Sequence, residues 1–244
     1  MKENKLFTAF ILLFLLGCSS VIMAQEQLEK SLKVKKIKEC NVSAEKVSAL
    51  LDESGVEFHS LDEINWKEFP YKPEVKFRIA HTDDAIILNY KVKENSVRAK
   101  SDKDNKPVWA DSCVEFFVSP TNDGPYYNIE TNCIGTILME SGPTRFDRKF
   151  IPEEVIAKIK RWSSLGHEPF DERVGECSWE LSLIVPYAVF IKSNLTPAAG
   201  MVMKANFYKC GDGLQTPHYL SWNRIEAKRP DFHRPDCFGT LVFE

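Results

Sequence analysis

Two of the five tryptophans stand among polar neighbours, outside the regular alternation of a core strand. Trp109 lies in Pro107-Val108-Trp109-Ala110-Asp111-Ser112-Cys113-Val114-Glu115-Phe116-Phe117, and Trp222 in His218-Tyr219-Leu220-Ser221-Trp222-Asn223-Arg224. An indole offers a broad apolar face, while nearby carboxylates, amides and guanidinium groups exchange hydrogen bonds. A sugar ring asks for both, since it carries an apolar C–H face and a rim of hydroxyls. If the run that begins at Cys113 follows a strand pleat, Cys113, Glu115 and Phe117 share one face. Glu115 then points away from Val114, Phe116 and Val118, close to where Trp109 enters. The same two indoles would also serve as packing residues, the role assigned to Trp66, Trp162 and Trp179.

No reaction centre accompanies them. The chain has no Gly-x-Ser-x-Gly elbow, Walker loop or His-Glu-x-x-His. A glycoside hydrolase would need two carboxylates; Glu115 is a candidate acid, but none of the other Asp and Glu stands out as its partner. Asp102-Lys103-Asp104-Asn105 opens like a calcium loop, but Pro107 occupies the glycine position and Cys113 the closing glutamate position. The histidines, His59, His81, His167, His218 and His233, show no metal-ligand spacing.

The N-terminus places the chain in a compartment. Lys2 and Lys5 precede an apolar run over residues 6–16, which is the pattern of a secretory signal and too short to span a bilayer as a helix. Two processing sites compete. Cleavage after Ala24 gives a soluble exported chain with a signal over residues 1–24. Leu15-Leu16-Gly17-Cys18 resembles a lipobox, which would end the signal at residue 17 and attach lipid to Cys18. The expected location is the periplasm, the outer membrane or the cell surface, with a membrane contacted only through Cys18.

Six cysteines follow: Cys40, Cys113, Cys133, Cys177, Cys210 and Cys237. An even number in an exported chain permits disulfides, and Cys113 and Cys133, at the ends of neighbouring strand-like runs, could face each other. Buried free thiols are the alternative. The spacings are wide and no Cys-x-x-Cys occurs, so spacing predicts no zinc site.

The chain of 244 residues is 43% hydrophobic and 27% charged, the make-up of a folded globular protein. A formal charge of −3 argues against nucleic acid as a partner, which would call for a basic excess. Residues 25–55 read as a solvated leader followed by a short helix through Leu51, with Val47, Leu50 and Leu51 on one face. From residue 74 the pattern changes to short strands. Residues 75–79 alternate, and 85–92 follow an Asp83-Asp84 turn as the second arm of a hairpin. Further runs cover 113–118, 126–132, 135–139, 178–185, 201–208, 219–222 and 240–243, with an obvious turn at Pro120-Thr121-Asn122-Asp123-Gly124-Pro125. Residues 151–167 read as a short helix or turn running into a strand. With few helices and no linker, this predicts an all-β fold, a sandwich of antiparallel strands over residues 56–244.

Three segments together resemble carbohydrate-binding module family 9: residues 109–117 quoted above, Trp179-Glu180-Leu181-Ser182-Leu183-Ile184-Val185-Pro186-Tyr187, and Ser221-Trp222-Asn223 followed by Arg234-Pro235-Asp236-Cys237-Phe238-Gly239-Thr240. The resemblance covers roughly residues 60–244. It implies a non-catalytic sandwich that grips the terminal sugars of an oligosaccharide or polysaccharide between two tryptophans, Trp109 and Trp222, with Glu115 bonding hydroxyls. The family tends to place a basic donor on the following strand; here Tyr127-Asn128-Ile129-Glu130 offers Asn128 instead. No cofactor is required, although calcium is known in the family and its ligands do not map onto matching residues. The same aromatic face could instead meet a protein partner of a surface complex.

Overall fold

The computed structural model describes residues 29–38 and 41–244. The signal segment, Cys18 and Cys40 lie outside the described residues. The first strand, β1 (Ser31–Lys36), is followed by the helix α1 (Val47–Glu53), two short bridges β2 (His59–Ser60) and β3 (Glu63–Ile64), and the hairpin of β4 (Glu74–His81) with β5 (Ala85–Ala99). Next come β6 (Cys113–Ser119), β7 (Tyr126–Asn132), β8 (Ile137–Gly142) and β9 (Lys149–Phe150), then one helical turn α2 (Glu153–Ile156) and β10 (Lys160–Ser163). The chain closes with the long β11 (Phe170–Pro186), β12 (Val202–Cys210), β13 (Tyr219–Ser221) and β14 (Gly239–Phe243).

These strands form the two leaves of a curled sandwich. One leaf runs β10-β11-β5-β4, the other β14-β12-β6-β7-β8-β9, with β13 on β12. Pairing is antiparallel except at β1, which lies parallel to β14 on one side and to β4 on the other, and so joins the leaves. Residues 31–36 are thus a strand, where a solvated leader was expected. Ser31-Leu32-Lys33-Val34-Lys35-Lys36 does alternate, but only Val34 is fully buried. What holds the segment extended is the backbone partners offered by two open edges.

Strand periodicity explains the core. Val114, Phe116 and Val118 of β6, Ile129 of β7 and Phe207 of β12 meet Phe77, Ile79, Leu88 and Leu183 of the opposite leaf. Phe77 stacks on Phe207 with ring centroids 3.9 Å apart. Trp179 belongs to this core, as expected, and Trp66 to a second cluster on the far side of β6 and β12. Trp162, on β10, is half-buried. The predicted hairpin holds: Thr82 Oγ1 accepts hydrogen bonds from the backbone of Asp84 and Ala85, closing the β4–β5 turn. Val47 and Leu51 dock α1 on the outer surface of the β4, β5 and β11 leaf, against Ala80 and Ile87. Among the described residues no helix is long and apolar enough to cross a membrane.

A charged cluster is sealed between the leaves. Lys209, fully buried on β12, reaches across to Glu94 of β5 at 2.9 Å and donates to His218 Nε2 at 2.7 Å. Trp179 Nε1 donates to the other Glu94 oxygen at 2.6 Å. Burial and the Lys209 charge push the His218 pKa down to about 3, leaving a neutral imidazole to accept from the ammonium.

The described cysteines are free thiols. Cys113 and Cys133 cannot face one another, because they lie on opposite faces of their leaf. Cys133 packs in the inter-leaf core and Cys113 in the outer cluster, where it pairs in register with Cys210.

Candidate functional site

The outer face of the β6, β7, β8 and β12 leaf is read off by parity. Cys113, Glu115 and Phe117 of β6 stand beside Tyr126, Asn128 and Glu130 of β7, with Glu115 opposite Glu130 and Phe117 opposite Asn128. On the other flank Tyr208 lies opposite Glu115, and Cys210 opposite Cys113. Beyond β7, Leu138 and Glu140 of β8 continue the face. This polar and aromatic sheet face is covered by long connections. Trp66 and Phe69 come from one, and Ile225, Phe232 and Phe238 from another. Trp66 Nε1 donates to Ala227 O at 2.8 Å, which pins the two connections together.

A pocket of about 480 Å³ remains between this cover and the sheet. Its lining includes Trp109, Phe69, Tyr219 and Phe232, the carboxylates Glu115, Glu130, Glu140, Asp212 and Asp231, and the guanidinium groups of Arg145 and Arg229. That volume falls inside the range of small-ligand sites, about 300–1,000 Å³.

Trp109 is the most exposed of the tryptophans, at 42%. It rides on a helical turn, Val108–Ala110, anchored by fully buried Val108. Asp111 organises this turn: its two oxygens accept from Lys100 N and Ser101 N, each at 2.9 Å, and Oδ2 also accepts from Asn132 Nδ2. The turn after β12 is stitched on by Asp212 N to Trp109 O and Gly213 N to Ala110 O. The indole is therefore fixed at its base and open on its face.

Below it lie the carboxyl groups. Glu115 is 3% exposed, and its Oε1 accepts from Cys210 Sγ at 3.0 Å. Burial first, then the neighbouring Cys210, Glu130 and Asp212, raises its pKa well above the ordinary carboxylate value. Glu130, 4% exposed, is lifted to about 7, chiefly by burial and against the stabilising bond from Asn128. Asp212 projects from an exposed turn into the pocket, whose walls desolvate its carboxyl and raise it to about 6, even though the Tyr219 hydroxyl donates to it. Near neutral pH these groups are poised to donate as acids or accept as anions. His233 is held neutral, its pKa depressed to about 3 by burial and by Arg148 and Arg145, and its Nδ1 lies 3.0 Å from the Tyr126 hydroxyl.

The predicted site residues part company here. Trp109 and Glu115 come together on the pocket. Asn128 stands one step behind: it is fully buried, and its Nδ2 donates to Glu130 Oε1 at 2.9 Å. Its Oδ1 accepts from Arg148 Nη2, whose guanidinium lies 4.2 Å above the Tyr126 ring. The basic donor missing from β7 thus arrives from the β8–β9 turn. Trp222 does not reach the pocket. It is 5% exposed in the inter-leaf core, edge-on to Phe207 at 5.7 Å and Phe77 at 6.2 Å. Parity is the reason: Trp222 follows Leu220 into the core, and of the two β13 residues that alternate with them, Tyr219 and Ser221, Tyr219 lines the pocket. Asn223 is occupied in joining strands, accepting from Lys30 N at 3.0 Å and donating to Cys237 O at 2.9 Å.

Tyr219 and Glu130 were legible in principle, one by parity with Trp222 and one by parity with Asn128. Phe69, Asp212 and Phe232 lie in irregular connections and carry no such signal. The calcium-like segment is engaged elsewhere, since Asp104 accepts from Arg161 Nη1 at 2.7 Å and Nη2 at 3.1 Å.

Comparison with known proteins points in one direction. The model of carbohydrate-binding family 9 matches residues 45–243. A proposed carbohydrate-binding protein from Bacteroides uniformis is 55% identical, with TM-score 0.86, over 88% of this chain and 100% of that one. Two structures of a family 9 module from Caldicellulosiruptor kristjanssonii share the fold. The complex with cellotriose is 11% identical with TM-score 0.59, over 88% of this chain and 94% of that one. The complex with glucose is 10% identical with TM-score 0.56, over 88% and 96%. No curated protein matches the chain.

Proposed function

The chain belongs to carbohydrate-binding family 9, and from that premise we propose that it binds the terminal sugars of an oligosaccharide or polysaccharide, without catalysis, in the pocket beneath Trp109. The observation that carries this reading is an indole 42% exposed at the mouth of a pocket containing Glu115 and Glu130, which are 3% and 4% exposed. Trp109 supplies the stacking platform, and Phe69, Tyr219 and Phe232 form the aromatic surround in place of Trp222. Glu115, Glu130 and Asp212 exchange hydrogen bonds with ring hydroxyls, while Asn128 and Arg148 orient Glu130. We further propose that the protein is exported, with Cys18 lipidated or the signal removed after Ala24; the mass of the mature N-terminus separates the two.

A glycan array on the purified protein, with and without calcium, tests the binding. Expected is recognition of one class of terminal sugar, lost in Trp109→Ala and weakened in Glu115→Gln with the fold retained. A folded wild type that binds no glycan would refute the reading and turn the search to a protein partner. Release of sugar products that stops in Glu115→Gln would replace it with a hydrolase.

A further inference from the structure

Cys113, Glu115 and Cys210 are separated in sequence by up to 97 positions, yet β6 and β12 bring them to one spot. Cys113 and Cys210 are paired in antiparallel register, and Glu115 follows two residues along the same face. The two sulfurs and a carboxylate oxygen all lie within 4.8 Å of one another, on side chains that are 0%, 1% and 3% exposed. We propose that these three residues bind a thiophilic divalent cation of the zinc class beneath the pocket.

Donor type and spacing both suit this cation. Zinc takes sulfur at about 2.3 Å and carboxylate oxygen at about 2.0–2.2 Å in a tetrahedron, whose sulfur–sulfur edge is then about 3.8 Å. With every donor pair within 4.8 Å, the present cluster lies close to that figure. Thiolate donors select zinc over calcium or magnesium, which prefer an all-oxygen shell. Three protein donors leave a fourth position, and Glu115 and Cys210 both line the pocket, so that position faces it.

A second observation is independent of the cysteines. Glu130 stands across from Glu115 in register, lines the same pocket and is 4% exposed. Its Oε2 is buried without a hydrogen-bond partner. A buried acceptor left open is costly, and a cation or its bound water supplies the missing partner. On binding, the two S–H bonds break and their protons, with that of Glu115 where present, pass to solvent. Two thiolates and one carboxylate against a dication leave a single negative charge.

The site does not depend on the glycan reading, because it can be probed without sugar. The full mature chain, reduced with a non-chelating phosphine, is titrated with cobalt(II). Expected is one equivalent of tetrahedral cobalt with a thiolate-to-metal charge-transfer band, bleached by zinc. Cys113→Ser and Cys210→Ser should each abolish the band, and Glu115→Gln should weaken binding at least about tenfold. Cys177→Ser, on the opposite leaf, should keep it. A folded, reduced wild type that shows only octahedral cobalt would overturn the proposal. So would a protein isolated with Cys113 and Cys210 joined in a disulfide whose reduction yields no such band.

Discussion

Trp109→Ala and Trp222→Ala should act on different properties, glycan affinity and stability, although both indoles sit in similar sequence settings. Trp222 is 5% exposed, with Phe207 and Phe77 edge-on at 5.7 Å and 6.2 Å. Its removal opens a cavity between the leaves, and such truncations cost about 3–5 kcal/mol. That is a large part of the roughly 5–15 kcal/mol that holds a domain folded. With a urea slope of about 2–3 kcal/mol/M, the midpoint should fall by about 1–2.5 M. Trp109 is 42% exposed, and its turn is held by Val108 and Asp111, not by the indole. Trp109→Ala should therefore leave the unfolding free energy within about 1 kcal/mol of wild type and act on glycan affinity alone. Urea unfolding followed by tryptophan fluorescence and far-UV dichroism, alongside glycan titration below each midpoint, separates the two. A Trp222→Ala protein with a wild-type midpoint and no glycan binding would refute the assignment and restore that indole to the site.

Gly239→Ala tests the same packing from the other side: a Cβ there would lie 2.5 Å from Trp222 Cζ3 and 2.6 Å from Lys30 O, so thermal unfolding should show a loss of about 1–3 kcal/mol. An unchanged melting temperature would mean that the β1–β14 junction yields freely. Lys209→Met strands the buried Glu94 charge and should cost about 3–5 kcal/mol, whereas Lys209→Met with Glu94→Gln should regain most of it in denaturant unfolding. Equal losses in the single and double variants would contradict the paired-charge account. Glu130 has a folded pKa of about 7, above its unfolded value, so its contribution to stability is full below about pH 4 and declines as pH rises through about 7. Glu130→Gln should accordingly gain on the wild type between about pH 4.5 and pH 7.5 in metal-free urea unfolding. A variant that loses ground to the wild type as pH rises would reverse the sign and sink the claim.

Much of the scaffold is written in local pattern. The period-two runs over residues 75–79, 113–118 and 178–185 specify strands and assign their faces, because their apolar side chains are the ones that a two-leaf sandwich buries. The same rule puts Glu115 on the outer face, and Asn128 and Glu130 with it. Parity also had the information to send Trp222 inward with Leu220, but motif resemblance pointed the other way. Residues 31–36 form a strand for a reason absent from their own composition, namely the two free edges of β14 and β4 that receive them. Only the folded chain decided what stands around the pocket. Phe69, Asp212 and Phe232 come from irregular connections, whose course is set by what they cover and not by any period. The meeting of Cys113 and Cys210 is likewise a matter of strand register, which pairs residues with no local signal of each other. Local periodicity dictates which way a side chain points; which distant side chain it meets is a long-range choice made by packing.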